Sequence, residues 1–160
     1  YLKSRKLDPD KMNVGYIGTD LGKGWNRQLQ ESALHLGILK QIKPDTFAPK
    51  FKNCVLFFTK NEKGQVIDLY GRSVIDGTDN KHFYLNGHHQ GIYPKYPDTG
   101  TKKLILTEAI IDCETLLQQS ELTEHYSIIS LFGTNGFTQE IQEAIKRKIS
   151  RNEKYFIVNK

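Results

Sequence analysis

Cysteine is scarce in this chain of 160 residues: there are two, Cys54 and Cys113, far apart and each inside an apolar run. That excludes a disulfide scaffold and a cysteine-rich zinc site, and reads as two buried thiols in a reducing, intracellular setting. Long apolar runs are also missing. None approaches the roughly 20 residues of a membrane helix, so no membrane is expected among the partners. The opening Tyr1-Leu2-Lys3-Ser4-Arg5 is too polar for a signal peptide. There is no initiator Met, and the sequence reads as a piece of something longer. Nothing matches Gly-x-Ser-x-Gly, a Walker lysine loop or Gly-x-Gly-x-x-Gly, and no internal repeat is visible.

What is present is positive charge. The net charge is +5, which favours an anionic partner. Lys and Arg recur in Lys3-Ser4-Arg5-Lys6, from residue 50 to 63, and at Arg72 and Lys81, among Tyr, Phe and Asn. Cations interleaved with aromatics suit phosphates and stacked bases. Lys146-Arg147-Lys148 closes a helix and is explained by the helix dipole.

The periodicity changes near residue 94. Residues 1–18 read as a turn-rich lead with a helix start at Asp8-Pro9-Asp10. Trp25, Leu29, Ala33, Leu36 and Leu39 recur at helical spacing, which predicts a core-packing helix. Residues 43–50 hold two prolines and read as a connector. Strands are expected at 53–58, 65–72 and 82–85, the first two joined by the turn 60–64. Pro94 to Gly100 reads as a boundary. Beyond it come strands at 103–107, 127–132 and 154–158 and helices at 110–119 and 138–149. Such alternation gives a parallel sheet. The expected fold class is therefore α+β: a basic antiparallel-sheet and helix subdomain over 1–94, then a partial α/β parallel-sheet domain over 95–160.

The chemistry concentrates in Thr107-Glu108-Ala109-Ile110-Ile111-Asp112. Glu108 ends a buried strand, and Asp112 follows four residues on. A helix starting near Glu108 would put both on one face, at the strand edge where α/β sheets bind ligands. Two such carboxylates suit Mg²⁺; an acidic first turn that complements the helix dipole is the alternative. Phe132-Gly133-Thr134-Asn135-Gly136 is expected beside Glu108, its glycines allowing close approach to an anion; a tight turn between strand and helix is the alternative. His82, His88 and His89 are poorly spaced for zinc, and no structural zinc is expected.

Taken together these segments resemble the catalytic core of bacterial DnaG-type DNA primases. Tyr1 to Leu7 is similar to that core's opening. Gly64-Gln65-Val66-Ile67 through Gly71-Arg72 resembles its G-x-V-I…G-R strand pair. Lys81 with Tyr84-Leu85-Asn86 resembles its K-Y-L-N element with an insertion. Glu108 to Asp112 resembles the E-G-x-x-D motif of the Toprim domain, and Leu131-Phe132-Gly133-Thr134 that domain's next strand and turn. The resemblance implies an RNA-primer-synthesising polymerase in the longer protein, with Glu108 and Asp112 catalytic and holding Mg²⁺ or Mn²⁺. Arg72, Lys81, Asn86, Gly133 and Thr134 would meet nucleotide or DNA. Single-stranded DNA template and ribonucleoside triphosphates are the implied partners, with a replicative helicase reached through regions outside this chain, in the cytoplasm at the nucleoid. The chain alone is expected to be inactive. Ala109 stands for the motif's glycine, and Cys54 for an arginine. The zinc-ribbon domain and helicase-binding tail of such primases are not in this sequence. An Asp-x-Asp pair is due after the strand ending at Val158, where the sequence reads Asn159-Lys160. A Toprim nuclease or topoisomerase, and a non-catalytic nucleic-acid-binding module of a mobile-element replication protein, are the rival readings.

Overall fold

The computed structural model describes residues 1–133 and 136–158, with 149–158 as backbone only. Contact density groups the described chain into two compact units. One comprises Tyr1–Met12, Phe58–Ile67 and the chain from Gln90; the other comprises Asn13–Phe57 and Asp68–His89. The grouping is discontinuous, whereas the periodicity suggested a linear division near residue 94.

Nine strands and four α-helices are described. The first strand, β1 (Val14–Ile17), follows two short 3-10 turns, and Asp8 caps the second by accepting from the Asp10 amide. Helix α1 (Arg27–His35) starts at Asn26, whose side chain accepts from the Leu29 amide at 2.9 Å. Strands β2 (Leu39–Lys43) and β3 (Thr46–Pro49) form a separate antiparallel pair. Strands β4 (Cys54–Lys60), β5 (Val66–Ser73) and β6 (His82–Tyr84) complete a mixed-length sheet of order β1-β4-β5-β6.

Three expectations for this half are corrected. The turn-rich lead contains a strand, β1. The proline-bearing connector is a hairpin: Asp45, at φ 57°, makes its turn in the left-handed region that Asp tolerates. Helix α1 is not a core-packing helix. Only Ala33 is buried along it, while Leu29 and Leu36 are 46% and 57% exposed. The core of this unit is supplied by the sheet and the segment before it, with Phe51, Cys54 and Phe57 fully buried.

From Thr101 the parallel pattern appears as expected. Strand β7 (Thr101–Thr107) is central, between β8 (Ser127–Ser130) and β9 (Ile149–Val158), both parallel to it. A middle strand covered on both faces must be apolar throughout, and Leu104, Ile105 and Leu106 are all buried. Helices α2 (Ile110–Leu117), α3 (Ser120–Thr123) and α4 (Gln139–Lys148) connect the strands. On α4, Ile141, Ala144 and Ile145 repeat at i, i+3, i+4 and pack with Ile92, Leu104, Leu106 and Ile129 in one cluster. Thr138 caps the helix by accepting from the Ile141 amide at 3.3 Å. The fold class is thus α+β, an antiparallel sheet with a helix and hairpin followed by a parallel α/β sheet. No helix among the described residues is long and apolar enough to cross a membrane.

Candidate functional site

Glu108 sits where β7 ends. Thr107, fully buried, donates its hydroxyl to the Ala109 carbonyl at 3.1 Å. The Thr107 carbonyl accepts from the Leu131 amide at 2.8 Å, and the Glu108 carbonyl accepts from the Gly133 amide at 2.7 Å. The loop after β8 therefore clamps the backbone on which Glu108 stands. Within that loop Phe132 adopts φ 56° and Gly133 φ 103°. A phenylalanine in the left-handed region costs on the order of 1–3 kcal/mol and needs surrounding structure to hold it. Its ring meets Tyr93 edge-on at 6.4 Å.

Ala109 caps α2 in extended geometry, at φ −111° and ψ 147°, so the helix begins at Ile110. Glu108 consequently lies outside the helix, and the one-face argument for residues 108 and 112 does not apply. Asp112 occupies the first turn of α2, half-buried like Glu108. Both belong to the segment at the carboxyl end of β7. The replacement of glycine by Ala109 carries no strain: its φ suits any residue, and the position is exposed. Gly133 contributes by holding the Glu108 bend, since its amide is already engaged. Thr134 lies outside the described residues, as do Asn135 and Asn159.

Two carboxylates are hard oxygen donors of the kind Mg²⁺ takes. Among the described residues no group of three or more His, Cys, Asp or Glu side chains is gathered for a metal. The donor chemistry of Glu108 and Asp112 suits that ion, with fewer protein ligands than a complete site. Magnesium keeps several waters and completes its shell with phosphate oxygens, so two carboxylates are a usable minimum.

The other predicted residues belong to the second unit. Strands β5 and β6 pair Tyr70 with Tyr84, Gly71 with Phe83 and Arg72 with His82. Residues 70 and 72 alternate onto one face, as do 82 and 84. Arg72 donates from Nη1 to His82 Nε2 at 2.6 Å, and Tyr70 Oη lies 2.9 Å from His82 Nδ1. The Lys81 carbonyl accepts from the Ser73 amide at 3.0 Å, which leaves its ammonium on an exposed side chain. Asn86 Oδ1 accepts from Lys50 Nζ at 2.7 Å. Burial pulls Lys50 below the usual lysine range, against the pull of Asp68 in the other direction. A groove of about 370 Å³ in this unit is lined by Lys40, Lys50 and Lys52 together with Ile42, Ile75 and Phe83.

Sequence reasoning missed His82 as a partner of Arg72, and missed Lys50 as a partner of Asn86. The period-two alternation of Tyr70 and Arg72 was the available signal. It also missed one buried and one half-buried carboxylate in the first unit. Glu114, on α2, accepts from the Tyr93 hydroxyl. Glu140, on α4, accepts from the Gly91 amide at 2.8 Å and from the Tyr96 hydroxyl. Cys54 fills the position where an arginine was expected. It is fully buried, and burial pushes its thiol up to about 11, so the position belongs to the core here.

No family model matches the sequence. A DNA primase from Haemophilus influenzae is 29% identical over 161 residues, covering 89% of this chain and 26% of that protein. Among solved structures, the Aquifex aeolicus primase with its zinc-binding and RNA polymerase domains is similar over 99% of this chain and 41% of its own. The TM-score is 0.76 at 20% identity. The DnaG primase catalytic domain bound to single-stranded DNA is similar over 93% of this chain and 53% of its own, at TM-score 0.70 and 21% identity. The Mycobacterium tuberculosis primase RNA polymerase domain, in complex with double-stranded DNA, gives TM-score 0.62 at 15% identity. The chain spans about a quarter of the curated relative and about half of these solved chains. Its fold is that of part of the DnaG primase catalytic core, in line with the resemblance read from scattered motifs.

Proposed function

We propose that this chain is part of a DNA primase core, and that the longer protein makes RNA primers on single-stranded DNA by metal-dependent nucleotidyl transfer. The observation that carries the reading is Glu108: an acidic residue on a backbone clamped by Gly133, at the carboxyl end of the central parallel strand, in a chain with that core's fold and a primase relative in sequence.

Glu108 and Asp112 would hold Mg²⁺ or Mn²⁺. When bound, the ion supplies charge neutralisation at the phosphates and lowers the pKa of the attacking hydroxyl. The remaining work falls to this chain's own groups. Arg72 presents a planar donor fork suited to phosphate oxygens, and Lys81 a mobile point charge. Asn86, fixed by Lys50, offers its amide nitrogen as a donor. The groove bearing Lys40, Lys50 and Lys52 beside Phe83 suits a phosphodiester backbone with a base against an apolar wall. Ribonucleoside triphosphates and a single-stranded template are the proposed ligands. A replicative helicase would be engaged by regions outside this chain, and the protein would work in the cytoplasm at the nucleoid.

Two measurements test this. Titration of the chain with MgCl₂ or MnCl₂, followed by NMR, should move amides of Glu108, Asp112 and Gly133 first. Affinity should be millimolar at best, roughly −4 kcal/mol or weaker, and the chain alone should make no primers. Shifts confined to His82, His88 and His89 would sink the carboxylate site. In a longer protein containing this segment, Glu108→Gln should abolish primer synthesis and leave single-stranded DNA binding intact. Loss of both together would assign Glu108 to the fold.

A further inference from the structure

We propose that His82 is a positioning residue for Arg72, holding the guanidinium ready for a phosphate group; the proposal rests on the reading of Arg72 as a phosphate-binding residue. Cross-strand pairing places the two opposite each other, Arg72 on β5 and His82 on β6. The Arg72 Nη1 to His82 Nε2 distance is 2.6 Å. A guanidinium only donates and does not lose its proton. Nε2 must therefore be bare and accept. The ring's one proton is then on Nδ1, which donates to Tyr70 Oη at 2.9 Å. Arg72 donates to His82 and His82 donates to Tyr70, so the chain of donors runs one way and fixes both the tautomer and the ring plane. Tyr70 is itself pinned, buried and packed on Phe57 and Tyr84 at ring distances of 5.8 and 5.3 Å.

This arrangement requires a neutral imidazole. A protonated ring would set N–H against N–H and two cations at hydrogen-bond distance. The surroundings favour the neutral form: burial, then Arg72, then Lys81 hold the ring below the usual histidine range. The groups facing the ring are Tyr70 and Arg72 from β5, with Lys81 preceding it in the chain. Nor does the protein satisfy the whole guanidinium. Arg72 Nε is buried and has no acceptor among the described residues. Nε is out of a ligand's reach, so a phosphate would meet the terminal nitrogens that His82 leaves over. A guanidinium anchored through one nitrogen has already lost the side-chain freedom that binding would otherwise remove.

The test uses the 160-residue chain with an oligo-dT single strand as probe, and with Arg72→Ala, His82→Phe and His82→Gln. Arg72→Ala should weaken binding at pH 8. His82→Phe, which keeps a ring but removes the acceptor, should weaken it about 3- to 10-fold, as for one lost hydrogen bond. His82→Gln, which restores a neutral acceptor, should bind within about 2-fold of the parent. By NMR the neutral His82 ring should carry its proton on Nδ1. The Arg72 side-chain resonances should move with the same midpoint as His82, below the ordinary histidine value, and should stay fixed over that range in His82→Gln. A ring protonated on Nε2 overturns the proposal even if His82→Phe fails to fold. So does His82→Phe binding like the parent while Arg72→Ala is weakened. If Arg72→Ala itself binds like the parent, the phosphate reading of Arg72 falls first and takes this one with it.

Discussion

Gly71 is where a single methyl group should do the most damage. A Cβ built there lies 2.4 Å from Phe51 Cδ1, 3.2 Å from its Cε1 and 3.4 Å from Cys54 Cβ. Ordinary carbon contacts lie near 3.5–4.0 Å, so the shortest of these is about 1 Å too close. Phe51 and Cys54 are both fully buried, and neither has solvent to retreat into. Overpacking of this kind costs about 1–3 kcal/mol. For a chain of this size each kcal/mol lowers the melting temperature by roughly 2–4 °C, so Gly71→Ala should melt roughly 2–12 °C below the parent by circular dichroism. The cause can be separated from any backbone effect. Phe51→Leu shortens the residue in the way, so its cost and that of Gly71→Ala should be less than additive in the double variant, by about 0.5–3 kcal/mol for residues in contact. The neighbouring Arg72–His82 contact should register the strain as shifted His82 ring resonances. An unchanged melting temperature would mean that Phe51 yields without cost, and full additivity that the cost arises elsewhere; either would refute the reasoning.

Three further outcomes follow from other parts of the molecule. Glu114 is 4% exposed, and burial raises its carboxyl above the ordinary 4.5 even though the Tyr93 hydrogen bond pulls the other way. The folded state therefore binds the proton more tightly than the unfolded chain. Stability linked to this group is complete below about pH 4.5 and is lost as pH rises through the raised value. Glu114→Gln, which can still accept from Tyr93, should remove that loss, and urea titrations should show its advantage growing from acid to neutral pH. A constant difference across that range would contradict the assignment. Both thiols are buried, and burial raises both; Ellman's reagent at pH 8 should label neither until the chain unfolds, and rapid labelling of Cys113 would mean that α2 opens locally. Single-stranded DNA binding should weaken steeply with salt, because the proposed contacts are Lys and Arg to phosphate; an affinity unchanged between low and moderate salt would remove the electrostatic basis of the proposed interface.

The parallel half was legible in the sequence because its pattern admits one solution. Leu104-Ile105-Leu106 is apolar at every position, as only a strand covered on both faces is, and Ile141, Ala144 and Ile145 mark one face of a helix. The β4–β5 hairpin was legible from the Asn61 to Gly64 turn between two alternating runs. Strand β2 was not: four of its five residues are exposed, so no alternation exists to be read. In α1 the periodicity was real, yet Leu29 and Leu36 are exposed. Spacing tells which residues share a face, and only tertiary packing decides whether that face is covered.

The same division runs through the candidate site. Sequence alone put Glu108 at the end of a strand and Asp112 in a first helical turn, because those follow from local hydrophobic and acidic patterning. That Glu108 stands outside the helix was decided by an extended Ala109 and by the Gly133 amide closing on the Glu108 carbonyl. Alanine is a good helix former, and nothing local forbids it from joining α2. That His82 takes up Arg72 was decided by strand register, which pairs residues ten positions apart and sets Tyr70 behind the ring. A sequence specifies which groups are available; the sheet determines which of them come within a hydrogen bond of each other, since register is fixed by the burial of whole faces and not by the pair itself.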